Sequence, residues 1–202
     1  DPLFFLDYIA LGHLVPERVA RIVEGVAAGC RQAHCAIVGG ETAEMPGFYP
    51  SDEYDLAGFC VGMVDRSRIV DGQDVAAGDV IVGLPSSGLH SNGFSLVRHV
   101  VFDRCGLDVN TGVPELGRTV GEELLEPTII YVDAAARARN VAPVRGMAHI
   151  TGGGLLGNIP RIIPHGLRAE LDLHSWRMPP VFGWLARLGA LDETECYQTF
   201  NM

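Results

Sequence analysis

The sequence predicts a mixed α/β protein, and three observations carry that prediction. Val19, Ile22, Val23, Val26, Ala27 and Cys30 fall at the i, i+3, i+4, i+7, i+8 and i+11 positions of one helical face. Apolar runs without such a stripe follow at 35–38 and 56–64, which read as a short strand and a longer, buried one. Beyond a polar, turn-rich stretch at 65–79, strand-like and helix-like patterns resume, so a domain boundary is expected near residue 67. The expected parts are 1–67 and 68–202.

In chain order, residues 3–6 are apolar but too few to assign beyond the end of a strand. Pro16 suits the first position of the 16–30 helix, because its missing N–H needs no partner there. Between the 35–38 and 56–64 strands lies an acidic stretch expected as a loop. In the second part, 79–85 reads as a strand. A helix is expected over about 93–104, with Leu96, Val97, Val100 and Val101 as its stripe and Gly106 as its cap. Pro127 opens a further helix over 127–140, residues 168–173 alternate like a strand, and 179–189 form a helix stopped by Gly189.

The formal net charge of −10, with no basic block, disfavours nucleic acid or an anionic membrane as partner. An anionic ligand would need backbone N–H groups, helix ends or a metal ion. The five cysteines make no C-x-x-C and read as reduced structural thiols of a cytoplasmic protein, not a zinc site. No apolar run approaches the length that crosses a membrane. The chain starts at Asp1 in full apolar stride and stops mid-phrase at Met202, as expected of a fragment lacking both termini.

Three stretches can carry chemistry. Asp7, Glu41 and Glu44 are hard oxygen donors suited to Mg²⁺. Gly39 and Gly40 would let a phosphate chain approach the backbone, and Thr42 adds a hydroxyl. The alternative is a solvated acidic turn. Residues 86–95, SSGLHSNGFS, lie between a strand and a helix, where open α/β sheets hold ligands. There Gly93 begins a helix N-terminus suited to anions, and His90 is a candidate proton carrier. The alternative is an N-cap made by Ser91 or Asn92. Gly152, Gly153 and Gly154 can form an anion-binding nest or only a flexible turn. No Walker loop or dinucleotide fingerprint is present.

Taken together, PLFFLDY, VGGETAEMPG, YDLAGFCVG, GLHSNGFSLVR, HITGGGLLGNIPR and YQTFN closely resemble the AIR synthetase (phosphoribosylformylglycinamidine cyclo-ligase) family over the whole chain. The resemblance implies an N-terminal ATP-binding α/β domain with a dimer-forming sheet, followed by a C-terminal α/β sandwich domain. It implies ATP- and Mg²⁺-dependent ring closure of formylglycinamidine ribonucleotide in purine biosynthesis, by a cytoplasmic homodimer. It assigns Asp7, Glu41 and Glu44 to metal, with Asp7 and His90 catalytic. Gly39, Gly40, Glu41 and Thr42 fall to the nucleotide; Ser91, Asn92, Gly93, Gly152, Gly153 and Gly154 fall to the substrate. A small-molecule kinase of the same superfamily and a non-catalytic dimerisation or binding module remain alternatives.

Overall fold

Pro16 opens a helix that links two parallel strands. A computed structural model describes residues 1–202. In chain order the elements are β1 (Pro2–Leu11), α1 (Pro16–Gln32), β2 (Ala36–Glu44), β3 (Tyr54–Gly62), α2 (Phe94–Arg98), β4 (Gly112–Val113) and β5 (Arg118–Thr119). There follow α3 (Val120–Leu124), α4 (Val132–Val141), α5 (Gly154–Asn158), α6 (Pro180–Gly189) and α7 (Glu193–Thr199). Wider π-helical turns prolong α2 over His99–Arg104. The chain forms two units, Asp1–Ile69 with Ile130–Ala142, and Val70–Ile129 with Pro143–Met202.

The first unit is a three-stranded sheet of order β2-β1-β3, with β2 parallel and β3 antiparallel to β1. The parallel pair requires a crossover, and α1 supplies it. Ile9, Ala10 and Leu11 on the central strand and Cys30 on α1 are the buried apolar residues of this unit. Helix α4 belongs here, with His34 Nε2 2.9 Å from Asp133 Oδ1 and Arg139 donating to Arg68 O at 2.5 Å.

Two expectations change in this sheet. The acidic stretch expected as a loop is strand, because β2 runs on through both glycines to Glu44. Its pairing with β1 accommodates the glycines by a register shift, from Phe5 opposite Ile37 to Leu6 opposite Gly39, which leaves Val38 as an extra residue. The 56–64 run does form a strand, β3, but an exposed one. It pairs with β1 alone, and Phe59 on it is 66% exposed.

The second unit is built on helices around one apolar core. Val97 and Val101 meet Val120, Val181, Phe182, Leu185 and Phe200 there, and the Phe182 and Phe200 ring centroids are 5.7 Å apart. Gly106 follows the π-helical turns with φ +62, as a capping glycine does. The runs at 79–85 and 168–173 are not strands. The only ladder in this unit is β4–β5, so those backbones have no strand partner, and Val80 is 86% exposed. The helix expected from Pro127 starts instead at Val132. Pro127 O accepts from Ser87 Oγ at 2.7 Å and Ile129 N–H points at His90, so these residues serve a loop contact. Helix α7, capped by Asp192 accepting from Glu195 N–H at 2.7 Å, was not anticipated.

Candidate functional site

In the first unit, sheet register fixes where each acidic residue points. Asp7 stands opposite Gly40 on β2 and Gly58 on β3, whereas Tyr8 stands opposite Glu41 and Ala57. Adjacent strand residues alternate faces. Asp7, Gly40, Thr42 and Glu44 therefore share one face, and Gly39 and Glu41 share the other with Tyr8. Gly40 makes room for Asp7: a Cβ there would lie 1.9 Å from Asp7 Oδ1 and 2.4 Å from Asp7 O. At Gly39 the nearest atom would be Leu6 Cδ2 at an ordinary 3.7 Å. The sequence signal missed here is

Glu44 is committed to the turn after β1. It accepts from Leu14 N–H at 2.9 Å and lies 2.8 Å from His13 Nδ1. The Leu14 N–H first, and His13 next, hold its carboxyl below the usual value. Glu41 Oε1 accepts the Thr42 N–H at 3.0 Å. No three acidic, histidine or cysteine side chains converge as a cation would need. Asp7, Glu41 and Glu44 thus do not fit a single Mg²⁺ centre made by this chain's side chains, whatever a nucleotide's own phosphates would add.

In the second unit, the serine-rich connector and the glycine run share a support. Gly88 O accepts from Asn201 Nδ2 at 2.9 Å, a Cβ on Gly93 would meet Phe200 and Thr199, and one on Gly154 would lie 1.9 Å from Tyr197 O. Residues 197–201 therefore lie beneath both the 88–93 and the 154 segments. Asn158 organises the glycine run. Its Nδ2 donates to Thr151 O at 3.2 Å, Gly152 O at 3.3 Å and Gly154 O at 2.8 Å, leaving Gly152 and Gly153 exposed. Asn158 and Asn201 carried no role in the sequence reading, because a side-chain amide that holds distant carbonyls leaves no spacing signature.

His90 is 8% exposed. Its Nε2 lies 2.9 Å from Ser87 N, 2.8 Å from Ser87 Oγ and 3.4 Å from Ile129 N. Burial, and then the neighbouring His149, push the imidazole below its ordinary value. Asn92 is buried, and its Nδ2 donates to His90 O at 3.1 Å. Neither Ser91 nor Asn92 makes a capping bond for α2, whose first flanking residue is Gly93 at φ +70. Of the three polar residues 90–92, Ser91 alone is exposed. Ser86 Oγ and Asn201 Oδ1 are buried without a hydrogen-bond partner.

Comparison with known proteins covers both units. Residues 1–64 match the model described as AIR synthase related protein, N-terminal domain, and residues 76–202 match AIR synthase related protein, C-terminal domain. The chain belongs to the AIR synthase related protein family. It is 54% identical over 202 residues to a protein of Trichlorobacter lovleyi, and 55% identical over 203 residues to one of Bifidobacterium animalis subsp. lactis. A Geobacillus kaustophilus protein is 54% identical over 202 residues. All three bear the name phosphoribosylformylglycinamidine cyclo-ligase. Each match takes in 100% of this chain but only 58% to 59% of the relative, so the chain spans less than two thirds of their length. Its mixed α/β architecture is the one expected of this family. No helix is long and apolar enough to cross a membrane.

Proposed function

We propose that this chain is the central part of a phosphoribosylformylglycinamidine cyclo-ligase, which closes the imidazole ring of 5-aminoimidazole ribonucleotide at the expense of ATP. The observation that carries this reading is the likeness itself, 54% identity running through every residue of the chain to a relative of that name. The chemistry follows from the substrate. The formyl oxygen of an amide is a poor leaving group, and transfer of the γ-phosphoryl group of ATP to it makes a good one. The neighbouring nitrogen attacks the activated carbon, the ring closes, the nitrogen loses its proton, and phosphate departs, with ADP as the other product. No covalent link to the protein is needed, so the protein's task is positioning and neutralising charge.

Within that reading, the Asp7 face of the sheet, with Gly40 and Thr42, belongs to the nucleotide side. Ser91 and the exposed Gly152 and Gly153 belong to the substrate side, with Gly93 and Gly154 shaping the backbone beneath them. The buried, unpartnered Ser86 Oγ and Asn201 Oδ1 beside Gly88 support a polar ligand or water there. Mg²⁺ would come with the nucleotide. Asp7 and Glu41 lie on opposite faces and are not joint ligands of one ion. A cytoplasmic location accords with five free thiols. A homodimer accords with the exposed sheet face around Tyr8 and Phe59.

The test uses the polypeptide made from the chain's own gene, given formylglycinamidine ribonucleotide and ATP. A diazotisable aminoimidazole with one ADP per ring supports the reading. A stable phosphorylated product without ring closure points to a kinase of the same superfamily instead.

A further inference from the structure

The connector between the 79–85 run and α2 has an unusual backbone. His90 and Ser91 both sit at positive φ, +49° and +64°, immediately before Asn92 and the positive-φ Gly93. Two consecutive L-residues in the left-handed region persist only where the surroundings over-determine them. Asn92 Nδ2 holds His90 O from one side, Asn92 N–H holds Leu89 O, and Asn201 Nδ2 holds Gly88 O. The imidazole of His90 supplies the remaining hold.

The backbone N–H groups of Ser87 and Ile129 both point at His90 Nε2. Backbone hydrogens cannot rotate away, so Nε2 must offer a lone pair, and the ring proton belongs on Nδ1. The Ser87 hydroxyl can rotate, and its one hydrogen serves both Nε2 and Pro127 O. A proton on Nε2 would face two fixed hydrogens. A general acid or base must also present its nitrogen to the reacting group, and this one is turned onto the protein's own backbone.

We infer that His90 is a positioning residue: Nε2, unprotonated and bound by Ser87 N–H and Ile129 N–H, fixes the left-handed turn that holds Ser91 at the surface, and it transfers no proton in the reaction. This deepens the ligand-site reading of the connector and rests on the proposed function for its kinetic test. His90→Gln is the discriminating variant, because Gln Oε1 can accept the same two N–H groups without titrating. His90→Ala removes the acceptor.

In the natural polypeptide, His90→Gln should keep its turnover within about tenfold of the parent, with an unchanged pH–rate profile. His90→Ala should fall well below it. Removal of a true proton carrier would cost ~10²-fold or more in both variants and abolish the corresponding limb of the profile, which would overturn the inference. So would full activity in His90→Ala. A second measurement needs no activity: ¹⁵N imidazole spectra of the resting protein should show His90 protonated at Nδ1 and bare at Nε2. A proton on Nε2 overturns the inference even if the polypeptide proves to catalyse a different reaction. Absence of ring closure with the Nδ1–H form intact overturns only the proposed function.

Discussion

At the scale of single residues, neighbouring glycines separate into different jobs. Gly40 is needed because β1 and the Asp7 carboxylate occupy the space its side chain would take, whereas Gly39 has room. Gly40→Ala should lower stability by about 1–3 kcal/mol, the usual cost of forcing atoms into a packed place. Gly39→Ala should be close to neutral, and denaturant midpoints of the two variants check the difference. His90 gives a pH dependence with a definite sign. Burial and His149 lower its folded-state value, so the unfolded chain takes up the proton first as pH falls. Its contribution to stability is complete above the unfolded value of about 6.5 and is lost as pH drops from there through the folded value. Thermal melts from pH 7.5 to 5 should show that loss in the parent and a smaller one in His90→Gln. Equal slopes would remove the buried neutral imidazole from the account.

At the scale of elements, α5 makes a matched pair of predictions. Gly154 has φ +58 and faces Tyr197 O, while Gly157 has open space where a Cβ would go. Gly154→Ala should destabilise by about 1–3 kcal/mol, and Gly157→Ala should be neutral or stabilise by up to about 1 kcal/mol. Urea unfolding of both variants tests the contrast. The elements also show what a sequence carries and what it does not. Helix α1 was legible because six apolar residues repeat its period and Pro16 marks its start. The Gly39–Glu44 part of β2 read as loop because glycine and glutamate are poor strand formers. It is strand because β1 offers a continuous ladder and Val38 absorbs the register shift. The 79–85 run failed in the other direction: Val80, Ile81 and Val82 have strand composition but no strand beside them. Of the candidate sites, the chemical words were visible in the sequence, but their facing was not. That Asp7 and Glu41 lie on opposite faces depends on a register one residue long. The supports of the second site, Asn158 and Asn201, act over distances that no local spacing encodes.

At the scale of the whole molecule, the sheet of the first unit leaves large apolar side chains uncovered, with Tyr8 on the central strand and Phe59 and Val61 on β3. Apolar area of this kind marks an association surface, and two copies meeting there would give the homodimer of the proposed function. Phe59→Asp should weaken self-association by more than about tenfold, since a buried charge in such a face costs well over the 1.4 kcal/mol of a decade. Sedimentation velocity across a dilution series reads this directly. An unchanged dimer would move the interface elsewhere. The central claim is that the chain serves ring closure driven by ATP, and one measurement bears on it most directly. The polypeptide from the chain's own gene is mixed with ATP and formylglycinamidine ribonucleotide, and aminoimidazole and ADP are followed together. The account predicts that they appear in equal amounts and that neither forms without the other substrate. ADP accumulating with a phosphorylated product and no aminoimidazole would contradict it.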